Sequence, residues 1–382
     1  MTETPEPGLP DLAVATLGGR VVAASDEFFA EAANLLAPHE PEFRPGTFGP
    51  RGQVYDGWET RRRRNGGHDQ VVVALGVPGV IRSVVVDTAH FTGNFPESCA
   101  VQACGVEGYP SAAELEQADW VEIVPVTRLK GDTRHTFRVT DGHRFTHVRL
   151  HIDPDGGVAR LRVHGDPVPD PRPLAGITPD LAALENGGAI HGCSDMFYGS
   201  PVNLLMPGQA ATMGEGWETR RRRGAGNDWV TVELAAPGVV RMAELDTSHF
   251  LGNAPGEVRL SAIDARTADP GDPRCWTPLL SRTPLRPDTR HRFPLPWGTA
   301  ATHVRMDIYP DGGMARLRLY GLIASDGLST LAARWFDLLP ASQAAAVLEG
   351  AGAQRGEVEA YVGARPLGTP PPALARELGL DP

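Results

Sequence analysis

Gly57-Trp58-Glu59-Thr60-Arg61-Arg62-Arg63-Arg64 is an eight-residue string that the chain carries twice. It returns unchanged as Gly216-Trp217-Glu218-Thr219-Arg220-Arg221-Arg222-Arg223, 159 residues later. The same offset takes Asp87-Thr88-Ala89-His90-Phe91-Thr92-Gly93-Asn94 to Asp246-Thr247-Ser248-His249-Phe250-Leu251-Gly252-Asn253. At an offset of 156, Thr146-His147-Val148-Arg149 recurs as Thr302-His303-Val304-Arg305, and Pro154-Asp155-Gly156-Gly157 as Pro310-Asp311-Gly312-Gly313. Solenoid units repeat every ~20–50 residues. A period this long is domain-sized, so a whole folding unit is duplicated.

Working outward, residues 1–165 form the first unit, 166–189 a Pro-rich linker, 190–322 the second unit and 323–382 an Ala-rich helical extension. The linker contains Pro167, Pro169, Pro171 and Pro173, which suit neither a helix interior nor a central strand. Repeat 1 has ten more residues between Asn34 and Asp56 than repeat 2 has between Asn203 and Glu215. They include Pro38, Pro41, Pro45 and Gly46, so a loop insertion is expected.

Inside each repeat the signals are those of short strands. Residues 70–75 and 81–86, with 229–234 and 240–245 in repeat 2, are β-branched runs separated by Pro78-Gly79 and Pro237-Gly238, which read as turns. His147, Arg149 and His151 alternate with Val148, Leu150 and Ile152, and Pro154-Asp155-Gly156-Gly157 then suggests a hairpin. No long helical period appears in either repeat. Each is therefore expected to be an all-β antiparallel sandwich of the jelly-roll type. In the tail, helices are expected near 329–339 and 343–350, with shorter ones around Pro366 and Pro370.

Hydrophobic content of 41% supports ordinary cores, and the net charge of −11 argues against nucleic acid despite the Arg runs. Cys99, Cys104, Cys193 and Cys275 occupy no matched positions, so no disulfide belongs to the shared fold. With no leader pattern and no long apolar stretch, a cytoplasmic protein without membrane association is expected.

No nucleophile elbow, zincin motif, P-loop or dinucleotide glycine motif is present. The polar residues kept in both copies are the informative ones. Asp87 with His90, and Asp246 with His249, sit at a strand end and could act as acid and base. The alternative is a structured turn in which Asp87 and Thr88 bond backbone amides. Asn94 and Asn253 could bind a carbonyl. In the Arg strings, Glu59, Arg61 and Arg63, with Glu218, Arg220 and Arg222, could bind a small carboxylate through a planar guanidinium; the plain reading is a charged surface run. Asp132-Thr133-Arg134-His135 and Asp288-Thr289-Arg290-His291 look like turns feeding strands. His151 is matched by Asp307, and Asp153 by Tyr309, in the second repeat, so a division of roles would show at these positions.

At these residues the chain resembles the allantoicase family. The resemblance rests on Asp56 to Arg63, Asp87 to Asn94 and Tyr309-Pro310-Asp311-Gly312-Gly313, and spans roughly 17–322. It implies two jelly-roll modules of the galactose-binding, discoidin-like kind and hydrolysis of allantoate to ureidoglycolate and urea in purine breakdown. The tail looks like an addition to the family core. No cofactor is required by the resemblance; whether a divalent metal such as manganese assists stays open, since the His and Asp spacing is not diagnostic. A homo-oligomer is expected. The rival from another class is a non-catalytic tandem ligand- or carbohydrate-binding module. Divergence around the matched motifs suggests that only one copy is fully catalytic, or that one site forms between the copies.

Overall fold

The structure is a computed structural model, which describes residues 8–50, 52–53, 55–64, 66–296 and 298–380. The first seven residues, most of the acidic N-terminus, lie outside the described residues. Repeat 1 contains β1 (Arg20–Ala24), β2 (Asp69–Asp87), β3 (Ser98–Cys104), the short helix α1 (Ala112–Glu116), β4 (Val121–Arg128), β5 (Arg134–Arg138), β6 (Arg144–Asp153) and β7 (Arg160–Pro167). Repeat 2 contains β8 (Ala189–Cys193), β9 (Asp228–Asp246), β10 (Glu257–Ile263), β11 (Thr277–Pro284), β12 (Arg290–Pro294), β13 (Ala301–Tyr309) and β14 (Arg316–Ile323).

The long strands β2 and β9 organise the two repeats. In repeat 1 one layer runs β1-β2-β6-β3-β4, while β5 and β7 pair with the far half of β2. Repeat 2 copies this as β8-β9-β13-β10-β11, with β12 and β14 on the far half of β9. All these pairings are antiparallel, and Val71 and Val73 face Leu150 and Val148, while Val84 and Val86 face Val163 and Leu161. The period-two alternation puts these eight side chains into one buried core. The fold is thus the expected tandem of jelly-roll sandwiches.

Two local expectations are corrected. Pro78-Gly79 and Pro237-Gly238 are not turns; each lies inside a single 19-residue strand. The ladder to β6 is interrupted between Ala74 and Gly79, which accommodates a proline without a donor. Gly79 is needed for close approach, since a Cβ there would lie 2.3 Å from the Asp166 carbonyl oxygen. Nor do β6 and β7 form a hairpin. The first pairs with the near half of β2 and the second with the far half, so the Pro-Asp-Gly-Gly segment crosses between layers. Val158 beyond it pairs with Trp58, bringing the duplicated string against the duplicated turn.

Trp58 and Trp217 are fully buried, and each indole donates to a backbone oxygen 2.8 Å away, on Asp26 and Asp195. Replacing such a ring by Ala costs about 3–5 kcal/mol. This accounts for part of the strings' invariance without reference to chemistry.

The tail forms α2 (Ser325–Leu338), α3 (Ala341–Gly350), α4 (Arg355–Gly363) and α5 (Pro372–Glu377). The chain divides into two compact units, and the tail is shared between them. Residues 336–366 belong with 9–168, while 169–335 take in the residues from 367 onward. In the first unit Gln343 on α3 donates to the Glu107 carboxylate at 2.6 Å. In the second the Arg172 guanidinium lies 5.0 Å from the Trp335 ring on α2.

Candidate active site

The strand β2 ends at Asp87, and the chain turns at once. Asp87 accepts the Ala89 amide at 2.8 Å, and the Thr88 hydroxyl donates to the carbonyl oxygen of Lys130 at 2.6 Å. His90 takes φ 70°, and its amide donates to Asp132 at 2.8 Å. Its ring Nε2 meets the Pro41 carbonyl oxygen at 3.1 Å, and the ring stacks on Phe43. Repeat 2 repeats the arrangement: Asp246 accepts the Ser248 amide, the His249 amide donates to Asp288, and His249 Nε2 lies 2.9 Å from the Ala210 carbonyl oxygen. Positive φ is costly for a histidine, so the two interlocked turns must hold it there.

The Arg strings make a different set of contacts. Arg61 donates to Asp26, and Arg63 to the buried Asp69 at 2.7 Å. Arg220 pairs with Asp195 at 3.5 Å and lies over Phe197 at 4.6 Å, while Arg222 pairs with Asp228. In repeat 2 these groups line an open cleft of about 760 Å³ that includes Ser194 and Arg223. Asn94 and Asn253 each donate at 2.7 Å to Glu59 and Glu218, the glutamates of the strings. Burial raises the Glu59 carboxyl, against the lowering effect of that amide. The arginines and the histidines thus share no partner: the former bond Asp26, Asp69, Asp195 and Asp228, the latter bond loop carbonyls.

A second cavity in repeat 2, about 340 Å³, is lined by Asp180, Glu185, Gly208, Gln209, Glu244, Asp246, Arg290, Arg316, Arg318 and Tyr320. Asp246 is the one expected residue that lines it; Ala210, the partner of His249, follows the lining residue Gln209. Asp246 on β9 faces Arg290 on β12 and Arg316 on β14. Glu244, two residues earlier and so on the same strand face, binds Arg290 at 2.6 Å and Arg292 at 2.7 Å. Its carboxyl is raised by burial but more strongly lowered by those guanidinium groups, the net shift being downward. Asp180 accepts the Leu319 amide at 2.7 Å; burial pushes its carboxyl up to about 6, with Leu319 and Arg318 opposing. Four polar atoms on its lining residues are buried without a hydrogen bond: Arg316 Nε, Arg318 Nη1, Asp180 Oδ2 and Glu185 Oε2. Buried orphans of this kind are rare and call for a partner.

Repeat 1 carries Asp11, Asp87, Arg134, Arg160 and Arg162 at the matched positions; residues 37–56 meet the arginines, while Asp11 Oδ2 and Arg162 Nη1 are buried without a hydrogen bond here too. Glu40 binds Arg134 through both oxygens at 2.9 and 2.7 Å. Asp56 accepts from Arg160 at 2.6 Å, and the His39 carbonyl oxygen accepts from Arg160 at 3.0 Å. Arg162 donates to the Ala37 carbonyl oxygen at 2.5 Å. Arg134 accordingly lowers the Glu40 carboxyl. For Asp56, burial raises it, but the Arg160 bond leaves it lowered overall. The sequence contained the signal for these arginines: Ala159-Arg160-Leu161-Arg162 recurs as Ala315-Arg316-Leu317-Arg318, and Asp11-Leu12-Ala13 as Asp180-Leu181-Ala182.

Neither His90 with Asp87 nor His249 with Asp246 belongs to a potential metal-ligand trio among the described residues; one such trio, His191, Glu233 and His303, occurs in repeat 2. All four cysteines are free, and burial pushes the Cys99 and Cys104 thiols up to about 12 and Cys193 up to about 11. Among the described residues no helix is long and apolar enough to cross a membrane.

Two jelly-roll sandwiches in tandem, the second with a cavity lined by arginines and carboxylates, define a duplicated all-β sandwich protein. The allantoicase repeat model matches residues 10–168 and 179–324. A probable allantoicase of Nocardia farcinica is 57% identical over 317 residues, covering 82% of this chain and 94% of the relative. One from Streptomyces avermitilis is 46% identical over 341 residues, covering 86% and 89%. The crystal structure of allantoicase from Saccharomyces cerevisiae superposes with a TM-score of 0.68 at 34% identity, covering 82% of this chain and 92% of that one. The chain belongs to the allantoicase family. Membership removes the rival reading of a non-catalytic binding module.

Proposed function

We propose that the chain's activity, hydrolysis of allantoate to ureidoglycolate and urea, is carried by the cavity of repeat 2 that Asp180, Asp246, Arg316 and Arg318 line. The observation supporting this is the set of four orphaned atoms, two donors and two acceptors. Allantoate presents a carboxylate, which needs donors, and two ureido groups, whose N–H need acceptors. Arg316 and Arg318 clamp the carboxylate with charge-assisted bonds. Glu185 and Glu244 accept from the ureido nitrogens. Asp246 takes the proton from water as it attacks the central carbon, and the Asp180 carboxyl gives its proton to the departing urea nitrogen. The substrate's own negative charge, placed beside Asp180, raises that carboxyl further and keeps the proton available.

His249 holds the Gln209–Ala210 segment against the cavity and acts as a positioning residue. The Glu218, Arg220, Arg222 and Asn253 group, with Glu59, Arg61, Arg63 and Asn94 in repeat 1, builds the neighbouring turn and cleft. His90 and Asp87 are the repeat 1 counterparts, in a copy whose arginines are already bonded to Glu40, Asp56 and nearby carbonyls. The proposal includes a cytoplasmic homo-oligomer without a required cofactor; light scattering after size exclusion, subcellular fractionation and assay after chelation check those three points.

Urea release from allantoate is the test. Asp246→Asn should lower kcat about 100-fold or more, the usual scale for loss of a positioned base. Asp87→Asn should change it less than about threefold. Comparable losses in both, or a larger loss in Arg222→Lys than in Arg318→Lys, would move the chemistry out of this cavity.

A further inference from the structure

Repeat 2 carries a second cluster that the proposed reaction does not use. His191 on β8, Glu233 on β9 and His303 on β13 bring their ligand atoms within 4.8 Å of one another. Three neighbouring strands supply them. Glu233 is paired with Ala189 on one side and His303 on the other. The ladder between β8 and β9 shifts between Ile190 and Gly192, which makes His191 the extra residue of a bulge. A bulge re-aims the side chain it carries. The two imidazole rings meet edge to face, with centroids 4.9 Å apart.

The matched positions of repeat 1 show what has changed. There the shift falls between Val21 and Ala23, so Val22 is the bulged residue, and Ala74 takes the central place between Arg20 and His147. Val22 packs in an apolar cluster with Val72, Cys104 and Leu115. The His147 Nε2 atom is buried without a partner. On the same backbone, repeat 2 has replaced Val22 and Ala74 by His191 and Glu233, the two side chains that complete a ligand set around the remaining histidine. In both copies the histidine's Nδ1 is engaged by the preceding threonine hydroxyl, at 2.9 Å for Thr302 and His303. That contact fixes the ring and leaves Nε2 as the ligating atom, as outer partners of metal-bound histidines do.

We propose that His191, Glu233 and His303 form a binding site for one divalent transition-metal ion of the zinc, cobalt and nickel class. Two imidazoles and one carboxylate suit these ions better than magnesium or calcium, which take oxygen ligands. Bonds of about 2.0–2.2 Å to nitrogen and oxygen need only a small closing of the three side chains. The ion ties the edge strand β8 to β9 and β13 and keeps one position open for water. The cluster shares no residue with the Asp246 cavity, so the two readings stand or fall separately.

Untagged full-length protein, stripped with chelator and then equilibrated with zinc chloride, should retain one zinc per chain by elemental analysis and melt at higher temperature in zinc than in chelator. His191→Val and Glu233→Ala install the residues that repeat 1 carries. Each should retain a native circular dichroism spectrum, bind zinc at least ten times more weakly, and lose the zinc-dependent melting shift. Cobalt should give visible ligand-field bands in the parent protein that are absent from both variants. Urea release by His191→Val should equal that of the parent. Absence of saturable zinc in the parent, or equal zinc in folded His191→Val and Glu233→Ala, overturns the site and leaves a simple His–Glu cluster.

Discussion

The two repeats share a fold and most of a polar design, yet they differ in what meets two of the arginines. In repeat 1 the longer segment supplies Glu40 to Arg134, and Asp56, the counterpart of Glu215, accepts from Arg160 at 2.6 Å, while Arg162 donates to a backbone carbonyl as Arg318 does in repeat 2. In repeat 2 the loop is ten residues shorter, the Glu215 carboxylate lies 3.9 Å from Arg316, and Arg316 Nε has no hydrogen bond; Arg318 Nη1 lacks one just as Arg162 Nη1 does. The difference is confined to what meets Arg134 and Arg160 against Arg290 and Arg316; the pairs Asp11 with Arg162 and Asp180 with Arg318 are built alike, at 3.6 Å in both copies. On the proposed reading, one copy serves as scaffold while the other receives the substrate.

The largest test of that contrast removes charge at matched places. Arg318→Lys should cost about 10- to 100-fold in kcat/KM, the scale of a lost charge-assisted pair, while Arg162→Lys should leave urea release within about threefold. Steady-state assays of both variants decide it, and equal losses would erase the distinction between the repeats. Next in size, shortening residues 38–47 of repeat 1 to the repeat 2 length should strip Arg134 of Glu40 and Arg160 of the His39 carbonyl while leaving Asp56 in place. Isothermal titration with an allantoate analogue should then find a second, weaker site per chain, where the parent has one.

The histidines sharpen the comparison further. His249→Ala should lower kcat/KM about tenfold through misplacement of the Gln209–Ala210 segment, and His90→Ala about twofold or less. A loss above a thousandfold at His249 would instead make it a base in its own right.

Asp180 gives a pH test. Its carboxyl is raised to about 6 from an ordinary 3.8 by burial. A raised acid favours the protonated fold, so its contribution is fully present below about pH 4 and is lost as pH rises through 6. Asp180→Asn removes that titration, so denaturant melts from pH 4 to 7 should show the parent losing stability relative to the variant. A constant difference would mean that the carboxyl titrates normally. The smallest effect belongs to Arg61→Ala: the Arg61 side chain is 64% exposed, and such pairs contribute about 0–1 kcal/mol.

Much of this was legible in the chain. The duplicated strings identified two sandwiches, and alternation around Val148, Leu150 and Ile152 located core faces correctly. The tail helices fell nearly where Ala-rich periodicity and prolines put them, α2 starting four residues earlier than expected. Pro78-Gly79 misled because local turn chemistry also serves a strand that must bend and touch a neighbour. Asp246 was visible as a motif residue, but Arg316 and Arg318 were not singled out, because charged residues alternating along a strand look like solvent-facing ones. Only the pairing of β9 with β14 shows that their heads line a cavity. The trio of His191, Glu233 and His303 is spread over more than a hundred residues and depends on a bulge, so no spacing rule could reveal it.

The thiols have a practical consequence. Cys99, Cys104 and Cys193 are buried and keep their protons at any ordinary pH, whereas Cys275 is half-exposed in a short turn of repeat 2. A maleimide dye added to unmutated protein will therefore attach at one place only. Every fluorescence or distance measurement made with it reports from repeat 2, with no cysteine-free background to engineer first.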